Sequence, residues 1–321
     1  MVMKALSSFF ILIILSFSSS LALALGSEEK SFIDHMVKKH QFDRATLEKQ
    51  MKQVKLRQDI IDAISRPAEG KPWHEYRKIF LTQARIKNGA AFIKKHEKTL
   101  KKAEKKYGVP VEIIAAIIGV ETNYGRLKGR YRVMDSLYTL GFHYPKRSKF
   151  FRKELEHFLL MARQDGFDPF SLKGSYAGAM GTPQFISSSY REYAVDFDGD
   201  GKRDLIDNVD DAIGSVANYL KRHGWVRNGV ITQPAVLKTK AAQDMVQRKL
   251  KPKNNWSTLK QKGVHVDSPP KDSEKGALLA FELKKGHEHW VGWKNFYVIT
   301  RYNHSALYAM AVYQLSEELK G

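Results

Sequence analysis

Residues 113–125 read Ile-Ile-Ala-Ala-Ile-Ile-Gly-Val-Glu-Thr-Asn-Tyr-Gly, an almost wholly apolar run that closes on a carboxylate and a turn. Pro110 precedes the run, and proline suits the first turn of a helix, where its missing N–H is no loss. A helix that is apolar on nearly every face is buried in the centre of a domain. The stretch therefore predicts a central buried helix that ends near Glu121.

Two interpretations of Glu121 follow from this position. A carboxyl group at the end of a buried helix is costly to ionise, so its pKa should rise towards neutrality, as a general acid requires. Alternatively, Glu121 is a structural carboxylate that pairs with a nearby cation such as Arg126. The stretch alone favours the ion pair, and only other features of the chain separate the two.

The N-terminal residues have the pattern of an export signal. Lys4 supplies a positive charge, residues 9–17 are apolar, and Ala22-Leu23-Ala24 matches a cleavage site. The chain has no cysteine, which excludes disulfides and a lipid-bearing cysteine. We expect residues 1–25 to be a signal peptide and the mature protein to be soluble in the periplasm, with no membrane span.

The formal net charge of +20 narrows the class of partner. A strong basic excess indicates nucleic acid, an anionic membrane surface or an acidic polymer. Export argues against nucleic acid. We therefore expect a cell-wall polymer that carries peptide carboxylates, with charge spread over the surface for solubility as the alternative. The sequence predicts no particular protein partner.

Composition and periodicity divide the mature chain into four regions. Residues 91–107 combine one apolar stripe with a lysine-rich face, which indicates an amphipathic helix. Strand-like runs at 277–283 and 295–300 indicate a small sheet, and His287-Glu288-His289 between them is typical of a surface turn. The predicted regions are an N-terminal helical part (26–88), a helical core (89–225), an insert with a small β-sheet (226–292) and a C-terminal strand and helix (293–321).

Residues 196–207 read Asp-Phe-Asp-Gly-Asp-Gly-Lys-Arg-Asp-Leu-Ile-Asp and match the first half of an EF-hand loop. In such a loop, acidic side chains at positions 1, 3 and 5 and a carbonyl at position 7 converge on calcium, and a glycine at position 6 permits the bend. The standard loop closes with glutamate, whereas this one offers Asp207, Asp210 or Asp211. An acidic turn without metal is the alternative. The loop itself predicts Asp196, Asp198, Asp200 and the carbonyl of Lys202 as ligands and leaves the closing ligand open.

Two further stretches suit a saccharide groove. Residues 174–185 read Gly-Ser-Tyr-Ala-Gly-Ala-Met-Gly-Thr-Pro-Gln-Phe, and their small residues allow the backbone to approach a bulky ligand. Residues 296–305 read Phe-Tyr-Val-Ile-Thr-Arg-Tyr-Asn-His-Ser, and tyrosine and asparagine side chains suit sugar rings and hydroxyls. A tightly packed loop and a stripe of core tyrosines are the alternatives.

Together and in this order, the four motifs resemble the lytic murein transglycosylase B family, from about Trp73 to Leu315. The resemblance implies an α+β, mainly helical fold: a lysozyme-like core with an EF-hand-like calcium loop, a flanking helical part and a small β-containing insert. It implies Glu121 as the single catalytic acid and base, structural calcium and no organic cofactor. Alignment with the family from the following Ala212-Ile213-Gly214 helix favours Asp211 as the ligand that closes the calcium loop. Thr182-Pro183 departs from the family pattern in the groove wall. The substrate-binding residues that it implies are Tyr76, Ser175, Gln184, Tyr219, Tyr302, Asn303 and Tyr308.

The activity implied is non-hydrolytic cleavage of peptidoglycan. Hydrolytic glycosidases usually need two carboxylates, and the motifs contain one clear candidate. We therefore expect cleavage of the β-1,4 bond between N-acetylmuramic acid and N-acetylglucosamine, which leaves a 1,6-anhydromuramyl end. A hydrolytic muramidase and a non-catalytic wall-binding protein of the same fold are the alternatives.

Overall fold

The computed structural model describes residues 25–65, 70–247 and 249–320. The predicted signal peptide lies outside the described residues, apart from Leu25. None of the helices in the described part of the chain has the length and apolar character needed to cross a membrane. The chain divides between Val54 and Lys55 into two compact units.

The described part of the first unit, from residue 25 on, contains two helices, α1 (Ser27–His40) and α2 (Arg44–Gln53), which contact each other. Asp43 begins α2, because its carboxylate accepts the N–H of Thr46 at 2.8 Å. An ion pair between Asp34 and Arg44 joins the two helices.

In its described residues, the second unit is mainly helical and carries three small antiparallel sheets, whose strands follow the orders β1-β2, β3-β8-β7-β5 and β4-β6. Its helices are α3 (Gln58–Ile64), α4 (Trp73–Phe80), α5 (Gln83–Lys95), α6 (Glu97–Tyr107), α7 (Val111–Thr122), α8 (Val133–His143), α9 (Ser148–Asp165), α10 (Ser187–Tyr193), α11 (Val209–Arg222), α12 (Lys240–Gln243), α13 (Trp256–Gln261), α14 (Lys294–Ile299) and α15 (Ala306–Glu318). Its strands are β1 (Tyr131–Arg132), β2 (Lys173–Gly174), β3 (Thr232–Pro234), β4 (Val236–Leu237), β5 (Asn254–Asn255), β6 (Val264–His265), β7 (Lys275–Glu282) and β8 (His287–Gly292).

Helix α7 is the buried helix that the sequence predicted. Every residue from Ile113 to Val120 is buried, and α5, α6, α11 and α15 pack around them. Pro110 precedes the first helical residue rather than occupying it. The helix ends where Asn123 and Tyr124 adopt left-handed conformations, with φ of 48° and 60°. This abrupt end turns the chain away directly after Glu121.

Two glycines make room for the ring of Tyr124. A Cβ atom on Gly119 would lie 2.6 Å from Tyr124 Cζ, and one on Gly89 would lie 2.3 Å from the Tyr124 hydroxyl. The ring therefore packs directly against the backbones of α5 and α7. This packing holds the left-handed turn after Glu121 in place.

The lysine-rich stretch 91–107 forms two helices instead of one. Helix α5 ends at Lys95, α6 begins at Glu97, and His96 between them has a non-helical ψ of 24°. The predicted apolar stripe survives the break, because Phe92, Leu100 and Ala103 are all buried.

The region after α11 contains the predicted sheet, but one of its strands was assigned wrongly. The run 277–283 corresponds to β7, whereas 295–300 forms helix α14. On one side β7 pairs with the short β5. On the other side it pairs along its length with β8, which contains the His-Glu-His sequence predicted as a surface turn. A short apolar run fits a buried helix as well as a strand, and Phe296, Val298 and Ile299 are buried in α14.

Helix α15 returns from this sheet to the helical core. It packs against α7 and α4 and thereby brings the last helix of the chain to the end of the central one. The mainly helical α+β class predicted from the sequence is confirmed, while the predicted region boundaries inside the second unit stay predictions.

Candidate active site

Glu121 lies in the last turn of α7, and among the described residues its carboxylate has one hydrogen-bond donor. The hydroxyl of Tyr308, in the first turn of α15, donates to Glu121 Oε1 at 2.6 Å. Tyr308 itself is 3% exposed, whereas Glu121 keeps part of its surface open. The carboxyl group is therefore held from one side and accessible from another.

The surroundings of Glu121 raise its pKa to about 7. Burial is the largest cause, and the hydrogen bond from Tyr308 acts in the opposite direction because it stabilises the ionised form. No cation or second carboxylate among the described residues contributes. The alternative of an ion pair with Arg126 is therefore not what the geometry shows. A single carboxyl with this pKa can donate and accept a proton near neutral pH.

Aromatic rings form a wall next to this carboxylate. The rings of Tyr302 and Tyr308 are nearly parallel, 10° apart in orientation, with centroids 6.4 Å apart. Tyr219 and Phe185 pack against Tyr302 at 4.9 and 5.8 Å. Burial holds the pKa of Tyr302 and Tyr308 well above the usual tyrosine range, and the nearby Glu121 adds to this. These hydroxyls therefore stay protonated.

Backbone carbonyls fix the orientation of the wall. The Tyr302 hydroxyl donates to the carbonyl of Pro183 at 2.6 Å, and the Tyr219 hydroxyl donates to that of Arg301 at 2.5 Å. The first bond uses the Thr182-Pro183 pair that departs from the family pattern. One aromatic wall is thus formed by Phe185, Tyr219 of α11, Tyr302 and Tyr308.

Two polar side chains of the glycine-rich loop at 174–185, Ser175 and Gln184, bond to its backbone and hold its shape. Ser175 Oγ accepts the N–H groups of Ala177 and Ala179 at 3.3 and 3.0 Å. Gln184 has a left-handed backbone, and its amide donates to the carbonyls of Lys128 and Gly181 at 3.1 and 2.9 Å. Neither residue forms a hydrogen bond with Glu121.

Two other predicted residues have a looser connection to the site. Tyr76 in α4 is buried, and it is among the groups that raise the pKa of Tyr308, so the two lie near each other. Asn303 is half-buried in the turn between Tyr302 and Ser305, where its carbonyl accepts the N–H of Ser305 at 2.7 Å.

Several residues of this site were not predicted from their chemistry. Thr122 is buried beside Glu121, and its hydroxyl donates to the carbonyl of Thr182 at 2.9 Å. His223 stacks on Tyr219 with centroids 4.0 Å apart, and Tyr193 packs edge-on against the same ring. The signal that could have identified His223 is its spacing, since residues i and i+4 share one helix face.

The acidic loop brings three of its predicted ligands together. Ligand oxygens of Asp196, Asp198 and Asp211 lie within 4.8 Å of one another. The carboxylate of Asp200 lies outside this cluster and accepts the N–H of the exposed Lys202 at 2.8 Å. Asp207 is exposed and lies 3.6 Å from the ammonium of Lys128.

Asp211 is the buried member of this acidic cluster. Its two oxygens accept the N–H groups of Phe197 and Asp204, both at 2.7 Å. Burial raises the pKa of Asp211, Asp196 and Asp198 raise it further, and no described cation contributes. A fully buried carboxylate beside two others is stabilised by a bound cation, and an all-oxygen set suits calcium.

The acidic loop is connected to the end of α7 by hydrogen bonds. The N–H of Thr182 donates to the carbonyl of Leu205 at 2.9 Å, and the carbonyl of Thr182 accepts the hydroxyl of Thr122. Gly181 also packs here, because a Cβ on it would lie 2.2 Å from the same Leu205 carbonyl. The acidic loop is therefore linked through Thr182 to Thr122, the residue that follows Glu121 in the chain.

Comparison with known proteins identifies the family. A family model described as a transglycosylase SLT domain matches residues 26–317. Membrane-bound lytic murein transglycosylase B of Escherichia coli is 46% identical over 298 residues, which cover 90% of this chain and 81% of that protein.

Solved structures agree with this match. Soluble lytic transglycosylase SltB1 of Pseudomonas aeruginosa has a TM-score of 0.87 and 51% identity, covering 91% of this chain and 98% of that chain. Escherichia coli lytic transglycosylase Slt35 in complex with calcium has a TM-score of 0.84 and 44% identity, covering 92% and 93%. With a single carboxyl at the end of a buried helix and this extent of similarity, the chain belongs to the lytic murein transglycosylase family.

Proposed function

We propose that Glu121 is the general acid and then the general base of the lytic transglycosylase reaction in this protein. The observation that carries the proposal is one partly accessible carboxyl group whose pKa burial raises to about 7. Such a group is protonated often enough at neutral pH to act as the acid, and the carboxylate that remains after this transfer is basic enough to act as the base.

The nucleophile of the reaction belongs to the muramoyl residue whose glycosidic bond is cleaved. Protonated Glu121 donates its proton to the glycosidic oxygen, and the bond from that oxygen to C1 of N-acetylmuramic acid breaks. The muramic 2-acetamido group stabilises the positive charge at C1. The Glu121 carboxylate then takes the proton of the C6 hydroxyl, whose oxygen bonds to C1. This second transfer leaves Glu121 protonated again, while the proton donated first stays on the leaving oxygen. An N-acetylglucosamine end and a 1,6-anhydromuramyl end form, and no water is consumed.

Tyr308 positions the carboxyl for both steps. Its hydroxyl bonds to one oxygen of Glu121, which leaves the other oxygen to face the substrate. Because the bond favours the ionised form, it assists the first proton transfer by stabilising the carboxylate that remains.

The aromatic wall supports saccharide binding. Ring faces pack against the C–H groups of a pyranose, and amide or hydroxyl groups bind its oxygens. Ser175 and Gln184 shape the adjoining loop, which contributes Phe185 to the wall, through their bonds to backbone groups. The residues that we assign to the peptidoglycan groove are Tyr76, Ser175, Gln184, Tyr219, Tyr302, Asn303 and Tyr308.

A structural calcium ion completes the proposal. Asp196, Asp198 and Asp211 would bind it through carboxylate oxygens, with Asp200 and the carbonyl of Lys202 supplying further ligands from the same loop. Slt35, a relative of this chain, has been solved in complex with calcium. When bound, the ion would neutralise the buried acidic cluster and hold the loop that supports Thr182.

We also propose that residues 1–25 direct export and that the protein acts in the periplasm, where peptidoglycan is accessible. The regions 26–88, 89–225, 226–292 and 293–321 are then the helical, catalytic, insert and groove-completing parts of the chain. Protein partners are not assigned.

Product analysis with Glu121→Gln tests the mechanism. Losing a general acid costs about 10²–10⁴-fold in rate, so digestion of peptidoglycan by this variant should be nearly absent. Wild-type products should carry anhydromuramyl ends when weighed by mass spectrometry. Glu112→Gln, in the first turn of the same helix, is the matched control and should keep full activity.

Two outcomes would contradict the proposal. Normal cleavage by Glu121→Gln would exclude this carboxyl as the acid. Wild-type products heavier by one water, with reducing muramic ends, would instead establish a hydrolytic muramidase.

A further inference from the structure

Two adjoining cavities form a cleft on the second unit outside the aromatic wall. The first has a volume of about 340 Å³ and the second about 260 Å³, and Lys294 and Glu274 border both. Lysine side chains line the first cavity and make it cationic. The second cavity has aliphatic surface as well, because Val226 and Val230 in its lining are 49% and 44% exposed. We call this site the lysine cleft, and its defining residues are Lys251, Lys275, Lys294, Tyr297, Val226 and Val230.

The lysine cleft begins where the aromatic wall ends. Tyr297 accepts a hydrogen bond from the Arg301 guanidinium at 3.3 Å, and the Arg301 carbonyl accepts the hydroxyl of Tyr219 in the wall. Lys294, one turn earlier on α14, packs against the backbone of Gly224, since a Cβ added there would lie 3.3 Å from Lys294 Nζ, and Gly224 directly follows His223, which stacks on Tyr219. Two residues of α14 that border the cleft therefore connect it to residues that pack on Tyr219 of the aromatic wall.

The cleft is held in a fixed shape by the buried side chain of Asn295. Its amide donates to the carbonyls of Val226 and Gly229 at 2.8 and 2.9 Å, and its oxygen accepts the N–H of Val226 at 2.8 Å. The turn at 226–229 is thereby fixed against α14. A ligand that binds here does not have to order the site first, which lowers the cost of binding.

The charge of the cleft selects the ligand. Four exposed lysines line the two cavities, and Glu274 is the one acidic side chain among the lining residues. None of the four forms an ion pair with any residue in the described ranges. Ammonium groups in this arrangement attract carboxylates, and the aliphatic half suits small apolar side chains. The lysines are Lys251, Lys271, Lys275 and Lys294.

We propose that the lysine cleft binds the peptide carried by a muramoyl residue of the strand in the groove. Such a peptide combines carboxylates with small aliphatic side chains and is attached to the sugar that the enzyme cleaves. Its carboxylates contact Lys275 and Lys294, and its alanine methyl groups contact Val226 and Val230. The assignment rests on the proposed function, because it requires a glycan strand along the aromatic wall.

Charge reversal tests the cleft through substrate preference. The Lys275→Glu/Lys294→Glu double variant and the wild type are assayed on glycan strands with their peptides and on strands stripped by an amidase. The wild type should prefer the peptide-bearing strands in kcat/KM, and the double variant should lose about tenfold of that preference, as two exposed charge contacts are modest. Lys285→Glu, at the opposite end of β7 in the turn to β8, is the control and should keep the wild-type preference.

The results separate this inference from the proposed function. An unchanged preference in the double variant overturns the cleft assignment, even if both rates fall together. A wild type that cleaves neither substrate contradicts the proposed function instead. Calorimetric titration with a synthetic stem pentapeptide then still tests the cleft, because binding should weaken about tenfold in the double variant. Equal binding of an acidic peptide of ordinary L-residues would overturn the assignment in favour of a protein-docking site.

Discussion

At the scale of single residues, the hydrogen bond from Tyr308 sets the proton affinity of Glu121. Burial alone would hold the carboxyl protonated to still higher pH, and the bond brings its pKa down to about 7. An acid must be protonated to act first, so activity is full below this pKa and falls as the pH rises through it. We expect kcat/KM to decrease about tenfold per pH unit above about 7.

Removing the Tyr308 hydroxyl should shift the pH at which kcat/KM begins to fall, the alkaline limb of the pH profile. In Tyr308→Phe the carboxylate loses its donor, so the pKa of Glu121 rises and the limb shifts to higher pH, whatever happens to the maximal rate. The measurement is the pH profile of kcat/KM on a soluble glycan fragment. Tyr313→Phe, on the same helix, is the control and should leave the limb in place. A limb that stays put or moves to lower pH in Tyr308→Phe would contradict the role of the bond.

The raised pKa of Glu121 could be predicted from the sequence because its cause is local: a carboxyl group at the end of an apolar, buried helix. Tyr308 was predicted only through family resemblance, since nothing near it in the sequence reveals a partner in α7. The carbonyl contacts of Thr182 and Pro183 could not be predicted at all. Every residue has a carbonyl group, and only the folded chain decides which one lies beside Thr122 or Tyr302.

At the scale of elements, the acidic loop should stabilise the core when calcium binds. An ion that binds only the folded loop stabilises it by mass action, by about 2.7 kcal/mol at a hundred times its Kd. We expect a chelator to lower the melting temperature of the wild type and calcium to restore it. Because Asp211 is the buried member of the cluster, Asp211→Asn should abolish this calcium response.

Asp207→Asn is the matched control for the calcium experiment. Asp207 is exposed and outside the cluster, so this variant should respond to calcium as the wild type does. A calcium response that survives in Asp211→Asn and disappears in Asp207→Asn would place the closing ligand at the twelfth position instead. No response in the wild type would exclude calcium from the loop.

Elements with one clear period were predictable, and short apolar runs were not. Helix α7 and strand β7 were predicted close to their observed bounds. The run 295–300 has too few residues to show whether its period is that of a helix or a strand. Burial of Asn295 against the 226–229 turn is a tertiary contact that the run itself does not encode.

At the scale of the whole molecule, the charge of +20 should act on the approach to an anionic polymer. Salt screens such attraction over a Debye length, which falls from about 30 Å at 0.01 M to about 10 Å at 0.1 M. We expect KM for peptide-bearing peptidoglycan to rise several-fold over this range while kcat stays constant. Strands stripped of their peptides should show a weaker salt dependence, and equal dependence on both substrates would contradict attraction through peptide carboxylates.

The bond between Tyr308 and Glu121 joins residues 187 positions apart, and this has a consequence for how the protein is made. A chain is synthesised from its N-terminus, so α7 exists long before α15 leaves the ribosome. Until then the carboxyl lacks its donor, and a chain interrupted before Tyr302 also lacks two rings of the wall. We therefore expect fragments from incomplete synthesis, which lack α15, not to cleave peptidoglycan, a useful property in an enzyme that cuts the wall of its own cell.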